Sequence, residues 1–282
     1  MAWTPCRQAD LRELITFLSK DEWGHVAFSS RLKETKYPTI PQNIYIWRKA
    51  RKDGDIQGAV LHTNGGLLVP AFSPDFAPDP GGLKSIIFRK KPVRSIDTIM
   101  GLKRNVELVQ RVLETQLRAA ILYHSMILTK PPARITPQDG IICRRGKPRD
   151  AGMLYPLQKA YEMEEVLLDP AAFNPGACYL NLQKNLRREI VYYGSLSGKA
   201  VAKAGTNARG FTFSQLGGVF TTEEVRNRGV AEQVLAVLLT AVCGRKTGAC
   251  LFVKKDNHAA IALYKKLGFK IAGEFKIAYY RG

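Results

Sequence analysis

Apolar residues fall every three or four positions over Asp10–Leu18, where Leu11, Leu14, Ile15 and Leu18 share one face. That spacing predicts an amphipathic helix with Asp10 as its cap. A polar stretch follows. Gln42–Lys49 then alternates through Ile44 and Ile46 as a strand does, and the turn Lys52–Asp55 joins it to a second strand, Ile56–Leu61. Gly66–Phe72 reads as a further apolar strand. Ser73–Pro80, rich in Pro and Asp, reads as a loop. Ser85–Phe88 and Val93–Ile99 read as short strands around the basic knot Arg89–Lys91. A helical spacing through Val106, Leu108, Val109, Val112 and Leu113 follows Gly101–Asn105, and Ala119–Leu128 reads as a closing strand.

Lys130–Arg134 carries two prolines and breaks the pattern, which marks a linker. Beyond it, Ile141–Arg145 is an expected strand, Asp150–Leu168 an expected helix, and Leu180–Leu186 a second, short helix. Ile190–Tyr193 and Lys199–Lys203 are expected strands joined by Gly194–Gly198, and Gln215–Thr221 a third. The order repeats that of the first half at low resolution, without any repeat in the residues themselves. Expected units are therefore 1–130, a linker at 131–136, and 137–282.

The net charge of +19 divides evenly between the halves, so it is not a basic tail. It favours anionic ligands in general. No aromatic–basic stacking motif accompanies it, and nucleic acid ranks last among the expected partners. Five cysteines, with no C-x-x-C pair, point to free thiols in a reducing compartment. The uncharged helical stretches are too short to cross a bilayer, and the N-terminal residues lack the apolar core of a secretory signal, so a cytoplasmic protein is expected. The histidines show no metal spacing, and no metal is expected.

The chemistry concentrates between Gly217 and Phe269. A strand enters the basic turn Arg226-Asn227-Arg228-Gly229-Val230-Ala231, which opens into a helix with Val230, Val234, Leu235, Leu238, Leu239 and Val242 on its apolar face. The first N–H groups of such a helix have no internal partner and lie at its positive end. Gly229 and Ala231 keep side-chain bulk away, so the oxygens of a diphosphate can reach the backbone. Arg226 and Arg228 oppose the helix dipole unless an anion binds between them. A second such turn at Gly101–Asn105 would need another small residue, and an ordinary strand-to-helix connection is the preferred reading there. Ala249–Val253 is a buried-strand run, and Asn257–Phe269 is a helix capped by Asn257 and stopped by Gly268.

Taken together, the strand, the R-x-x-G-x-A turn, the helix, the next strand and N-x-x-A-x-x-L-Y-x-x-x-G-F resemble the GNAT (GCN5-related N-acetyltransferase) superfamily. The motifs span about the last 70 residues, and the topology extends back to about Arg134. The resemblance implies an α/β fold around a mixed sheet and acetyl-CoA as cosubstrate. It implies that Arg226–Ala231 hold the pyrophosphate, that the backbone of Gly218, Val219 and Phe220 aligns the pantetheine arm and the acetyl carbonyl, that Asn257 bonds the pantetheine, and that Tyr264 protonates the departing thiolate. Transfer to a primary amine also needs a base, for which Glu164, Glu165 and Glu223 are the candidates. A non-catalytic acyl-CoA sensor or assembly module is the competing reading. The acceptor is open, as is pairing with a second copy of the chain. In the first half, His25–Leu32 and Ile99–Glu107 resemble an uncharacterised domain fused ahead of a GNAT unit in some bacterial proteins, which implies two tandem GNAT-like units with the first degenerate.

Overall fold

The computed structural model describes residues 2–33, 39–51, 54–77, 79–87, 96–113, 115–131, 137–244 and 247–280. The first half runs β1 (Thr4–Pro5), α1 (Leu11–Ser19), α2 (Glu22–Leu32), β2 (Ile44–Ala50), β3 (Ile56–Thr63), β4 (Leu67–Phe72), α3 (Pro80–Ile87), β5 (Thr98–Leu102), α4 (Lys103–Gln110) and β6 (Leu117–Leu128). The second runs β7 (Ile142–Arg145), α5 (Ala151–Tyr161), α6 (Pro175–Arg188), β8 (Val191–Leu196), β9 (Lys199–Arg209), β10 (Phe213–Thr221), α7 (Val230–Val242), β11 (Gly248–Lys254), α8 (His258–Lys266) and β12 (Lys270–Tyr280). Element for element, the second half repeats the first.

All twelve strands form one mixed sheet, in the order β1-β2-β3-β4-β5-β12-β6-β11-β10-β9-β8-β7. The closing strands are exchanged between the halves. β12 pairs with β5, through Ile277↔Met100, and with β6, through Ile277↔Ile121. β6 in turn pairs with β11, through Phe252↔Ser125. Helices cover both faces. In the second half α7 and α8 bury Val234, Leu235, Leu238, Leu239 and Leu267 on one face, while Leu154, Leu157, Leu182 and Leu186 of α5 and α6 pack on the other.

One ion seals the junction between the halves. The buried Glu22 of α2 accepts hydrogen bonds from the backbone N–H of Phe211, Thr212 (2.6 Å) and Phe213 (3.1 Å), and from the Thr212 hydroxyl. Gly210 leaves room for this, because a Cβ there would collide with Glu22 and Ser29.

Several expectations are corrected. Asp10 does not cap α1 with its side chain. Its carboxylate accepts from the Arg7 N–H at 2.8 Å and pairs with Arg48 at 2.8 Å, tying the helix start to β2. The polar stretch after α1 contains α2, whose Glu22, His25 and Ser29 are buried along with its apolar residues, so no polar face remains to show a period. Ser85–Phe88 is not a strand: through Ile87 it lies in α3, with Leu83, Ile86 and Ile87 buried at helical spacing. The helix expected to reach Leu168 stops at Tyr161, and a single π-helical turn, Glu162–Val166, follows before Leu167 becomes extended. The short helix at Leu180–Leu186 is the middle of α6, which starts at Pro175 behind the Asn174 cap, whose side chain accepts from the Ala177 N–H at 2.9 Å. β12 had no counterpart in the sequence reading. The knot Arg89–Lys91 and most of the linker, residues 132–136, lie outside the described residues.

Candidate acyl-transfer site

β10 is paired on both sides at its start and on one side at its end. Its parallel ladder with β11 runs from Phe213↔Gly248 to Leu216↔Leu251 and stops there. Beyond it, β10 continues along β9 to Thr221, while β11 continues along β6 to Lys254. The strands therefore part, and a wedge opens between Gly217–Thr221 and Phe252–Lys254. Peptide groups facing such a gap need partners, which an extended ligand arm can supply.

A bulge lies at the mouth of the wedge. Gly217 faces Gly205 and Phe220 faces Lys203, so Gly218 and Val219 stand opposite Ala204 alone. Gly218 adopts φ +61, and a Cβ on Gly217 would strike the Asn207 amide. The left-handed turn at Gly218 favours glycine, and a side chain at Gly217 would have to push the exposed Asn207 amide aside.

The strand runs through a short helical turn, Glu223–Val225, into the basic loop. Asn227 (φ +62) and Gly229 (φ +73) are left-handed, and α7 begins at Val230 with no side-chain cap. A Cβ at Gly229 would press on Gln138 at 3.0 Å. With glycine as its N-cap, α7 has no capping side chain of its own on its first N–H groups. Val230 is buried in the core, Ala231 is half-buried and Arg228 is exposed. Arg226 does not stand free at the mouth. Its Nε donates to the Thr221 carbonyl at 3.0 Å, its Nη2 donates to both Glu164 oxygens at 2.9 Å, and its guanidinium lies 5.5 Å from the Phe220 ring centre.

Glu165, the next residue of the π turn, pairs with Lys254 of β11 at 3.2 Å. The turn is thus pinned to the basic loop on one side and to the end of β11 on the other, spanning the wedge. Beside it, a cavity of about 470 Å³ is lined by Glu164, Glu165, Lys254, Asn257 and His258. Asn257 caps α8, its side-chain oxygen accepting from the Ala260 N–H at 3.0 Å. Glu223 is exposed.

Tyr264 of α8 is buried edge-on against Phe269, with ring centres 5.8 Å apart. Burial pushes its phenol above the ordinary tyrosine range, and Tyr161 and Glu165 add to the push. The phenol therefore holds its proton. Two residues outside the sequence-based set belong to this neighbourhood. Lys203 is buried on β9 and donates from Nζ to the Gly218 carbonyl at 2.9 Å. Tyr161, at the end of α5, lies under that amine with its ring centre 4.4 Å away. The signal for Lys203 was available: Ala200–Gly205 reads A-V-A-K-A-G, with one charge among small residues. Among the described residues, no group of His, Cys, Asp and Glu side chains is placed to hold a metal ion, and no helix is long and apolar enough to cross a membrane.

Comparisons with known proteins bear on the fold. Residues 192–277 match the family model described as FR47-like protein, which is GNAT-related. A Drosophila protein of known structure is similar over 99% of this chain and 98% of its own, with a TM-score of 0.69 at 15% identity. A GNAT-family acetyltransferase from Colwellia psychrerythraea covers 100% of both chains with a TM-score of 0.58 at 12% identity. A tandem GNAT protein from the clavulanic acid biosynthesis pathway covers 99% of this chain and 98% of its own, with a TM-score of 0.57 at 12% identity. A comparison with curated proteins finds no match. At these identities the likeness to solved structures is one of fold. The fold is that of tandem GNAT proteins over the whole chain.

Proposed function

We propose that this protein is an acetyl-CoA-dependent N-acetyltransferase that moves the acetyl group directly to a primary amine. The observation that carries the reading is the bulge at Gly218–Val219, opening onto the wedge between β10 and β11 and continuous with an uncapped basic turn. The turn Arg226–Ala231 would take the pyrophosphate on its backbone N–H groups, with Arg228 adding charge. Arg226 would brace the turn from behind through the Thr221 carbonyl, while Glu164 competes with the ligand for its charge. The backbone of Gly218, Val219 and Phe220 would align the pantetheine and the acetyl carbonyl. Asn257 spends its oxygen on the α8 cap, leaving its amide N–H groups for the pantetheine side.

In the reaction, the neutral amine nitrogen bonds to the acetyl carbon and the carbon–sulfur bond breaks. Tyr264 gives its proton to the thiolate, and a carboxylate or water takes the proton from the nitrogen. Of the candidate bases, Glu165 stands nearest the proposed acid, its charge acting on both Tyr161 and Tyr264, and it would have to leave its pair with Lys254 to act. Glu164 is committed to Arg226, and Glu223 is exposed. We assign the units to 1–130 and 137–282, and the location to the cytoplasm.

The test is free-thiol release from acetyl-CoA across a panel of primary amines, run beside calorimetric titration with CoA. Amine-dependent release is the expected result. Tight CoA binding without release would replace this reading with a non-catalytic acyl-CoA sensor, and absence of CoA binding would remove both.

A further inference from the structure

A bulge takes peptide groups out of the strand ladder, and something else must hold them. At Gly218 two side chains face the orphaned peptide groups. The Lys203 Nζ donates to its carbonyl at 2.9 Å, and the Tyr161 phenol oxygen faces its N–H. Glycine supplies the seat, since a Cβ at position 218 would stand 3.1 Å from the Lys203 nitrogen. The two side chains also support each other, with the amine 4.4 Å from the Tyr161 ring centre.

Packing does not call for a lysine here. A methionine would fill the same space, and burial pulls the Lys203 amine down to about 7 against the opposing pull of Glu162 and Cys178. A buried amine kept at that cost, with its nitrogen on the bulge carbonyl, points to a task at the bulge. We propose that Lys203 is a positioning residue for acyl transfer: it holds the 218–219 peptide by its carbonyl while Tyr161 faces the 217–218 peptide, and together they fix the orientation of the N–H groups that follow at Val219 and Phe220. This rests on the acetyltransferase reading, in which those N–H groups meet the thioester carbonyl. Neither Lys203 nor Tyr161 need touch the substrate.

The variants are Lys203→Met, Tyr161→Phe and the pair, each measured for kcat, CoA affinity by calorimetry and thermal midpoint. Lys203→Met should lower kcat roughly 30-fold, in line with the loss of an oriented oxyanion donor, with CoA affinity within about twofold and no fall in midpoint. Because the two side chains hold the two peptides that meet at Gly218, on one bulge, the double variant should be no more than about twofold worse than Lys203→Met. A kcat within about threefold of the parent, effects that multiply in the double variant, or joint loss of CoA affinity and midpoint would each overturn the proposal. Amide hydrogen exchange at Gly218–Phe220 gives a readout that does not depend on turnover. Lys203→Met should speed it roughly tenfold, and unchanged exchange would sink the clamp even if the chain acetylates nothing. Faster exchange in a protein that acetylates no amine would keep the clamp and locate the failure in the acetyltransferase reading.

Discussion

The two halves share a topology and differ at the place where a ligand would sit. In the first half β4 and β5 also run parallel, for two pairs among the described residues, Leu67↔Thr98 and Leu68↔Ile99, against four between β10 and β11. There the resemblance ends. β4 pairs with β3 without a shift from Gly58↔Phe72 to His62↔Leu68, whereas β10 carries its bulge. The connection after β4 is filled by aromatic rings: Phe72 stacks on Phe76 at 4.5 Å, with Trp3 edge-on to both. Arg104, at the surface, donates to the carbonyls of Ser73 (3.0 Å) and Phe76 (3.4 Å) and so ties the connection down. α3 opens behind Asp79 with Pro80, an acid followed by a residue with no N–H, where α7 opens behind Gly229, which has no side chain to cap it. One backbone plan thus serves two ends. The first half keeps glycines at its helix start, Gly81 and Gly82, but places a proline first and packs aromatic rings where the second half carries its bulge.

The largest effect expected from this contrast concerns chemistry. Tyr264→Phe should lower the acetylation rate roughly 100-fold while acetyl-CoA affinity stays within about twofold, measured by steady-state kinetics and calorimetry. Unchanged turnover would take Tyr264 out of the mechanism. Gly229→Val forces a branched residue to φ +73 and against Gln138, so CoA affinity should fall roughly 30-fold. Asp79→Asn, at the matching position of the first half, should leave affinity unchanged. A comparable loss there would mean that the first half binds CoA after all.

The junction is the next place to press. His25 is buried beside Glu22, and burial holds its imidazole down at about 4, below the ordinary 6.5. A depressed folded value means that the unfolded chain takes up the proton first as the pH falls. Stability from this site is therefore complete above about 6.5 and lost progressively towards 4. The thermal midpoint should drop over that window, and His25→Phe should flatten the drop. Glu22→Gln should lower the midpoint at every pH in that window, because four donors would then face a weaker acceptor. The smallest effect belongs to the strap over the wedge. Glu164→Gln frees Arg226 from its ion pair, and CoA should bind about two- to fivefold more tightly by calorimetry. Weaker binding would show that Glu164 supports the turn rather than competing with the ligand.

Much of this site could be read in the residues. Gly229, Asn227 and the apolar face of α7 announce the turn because the helix period and the small residues are both local signals. The wedge and the Arg226–Glu164 pair could not be read, since one depends on which strand stops pairing and the other on contacts across 62 positions of sequence. α2 stayed hidden for a different reason: burial on nearly every side removes the polar stripe that reveals a helix. Lys203 was visible as an oddity, but its partner Gly218 is 15 residues away across the hairpin.

The exchange of β6 and β12 has a consequence for how the molecule is made. β12 is translated after every other element described here, yet it lies in the middle of the sheet, between β5 and β6. While the ribosome is still building the second half, β5 and β6 both present bare edges, the kind of surface that invites mispairing with another chain. Final assembly must wait for one late segment to thread between them. Cutting the gene at the linker should therefore give two fragments that complement each other when expressed together, and two aggregating products when expressed apart.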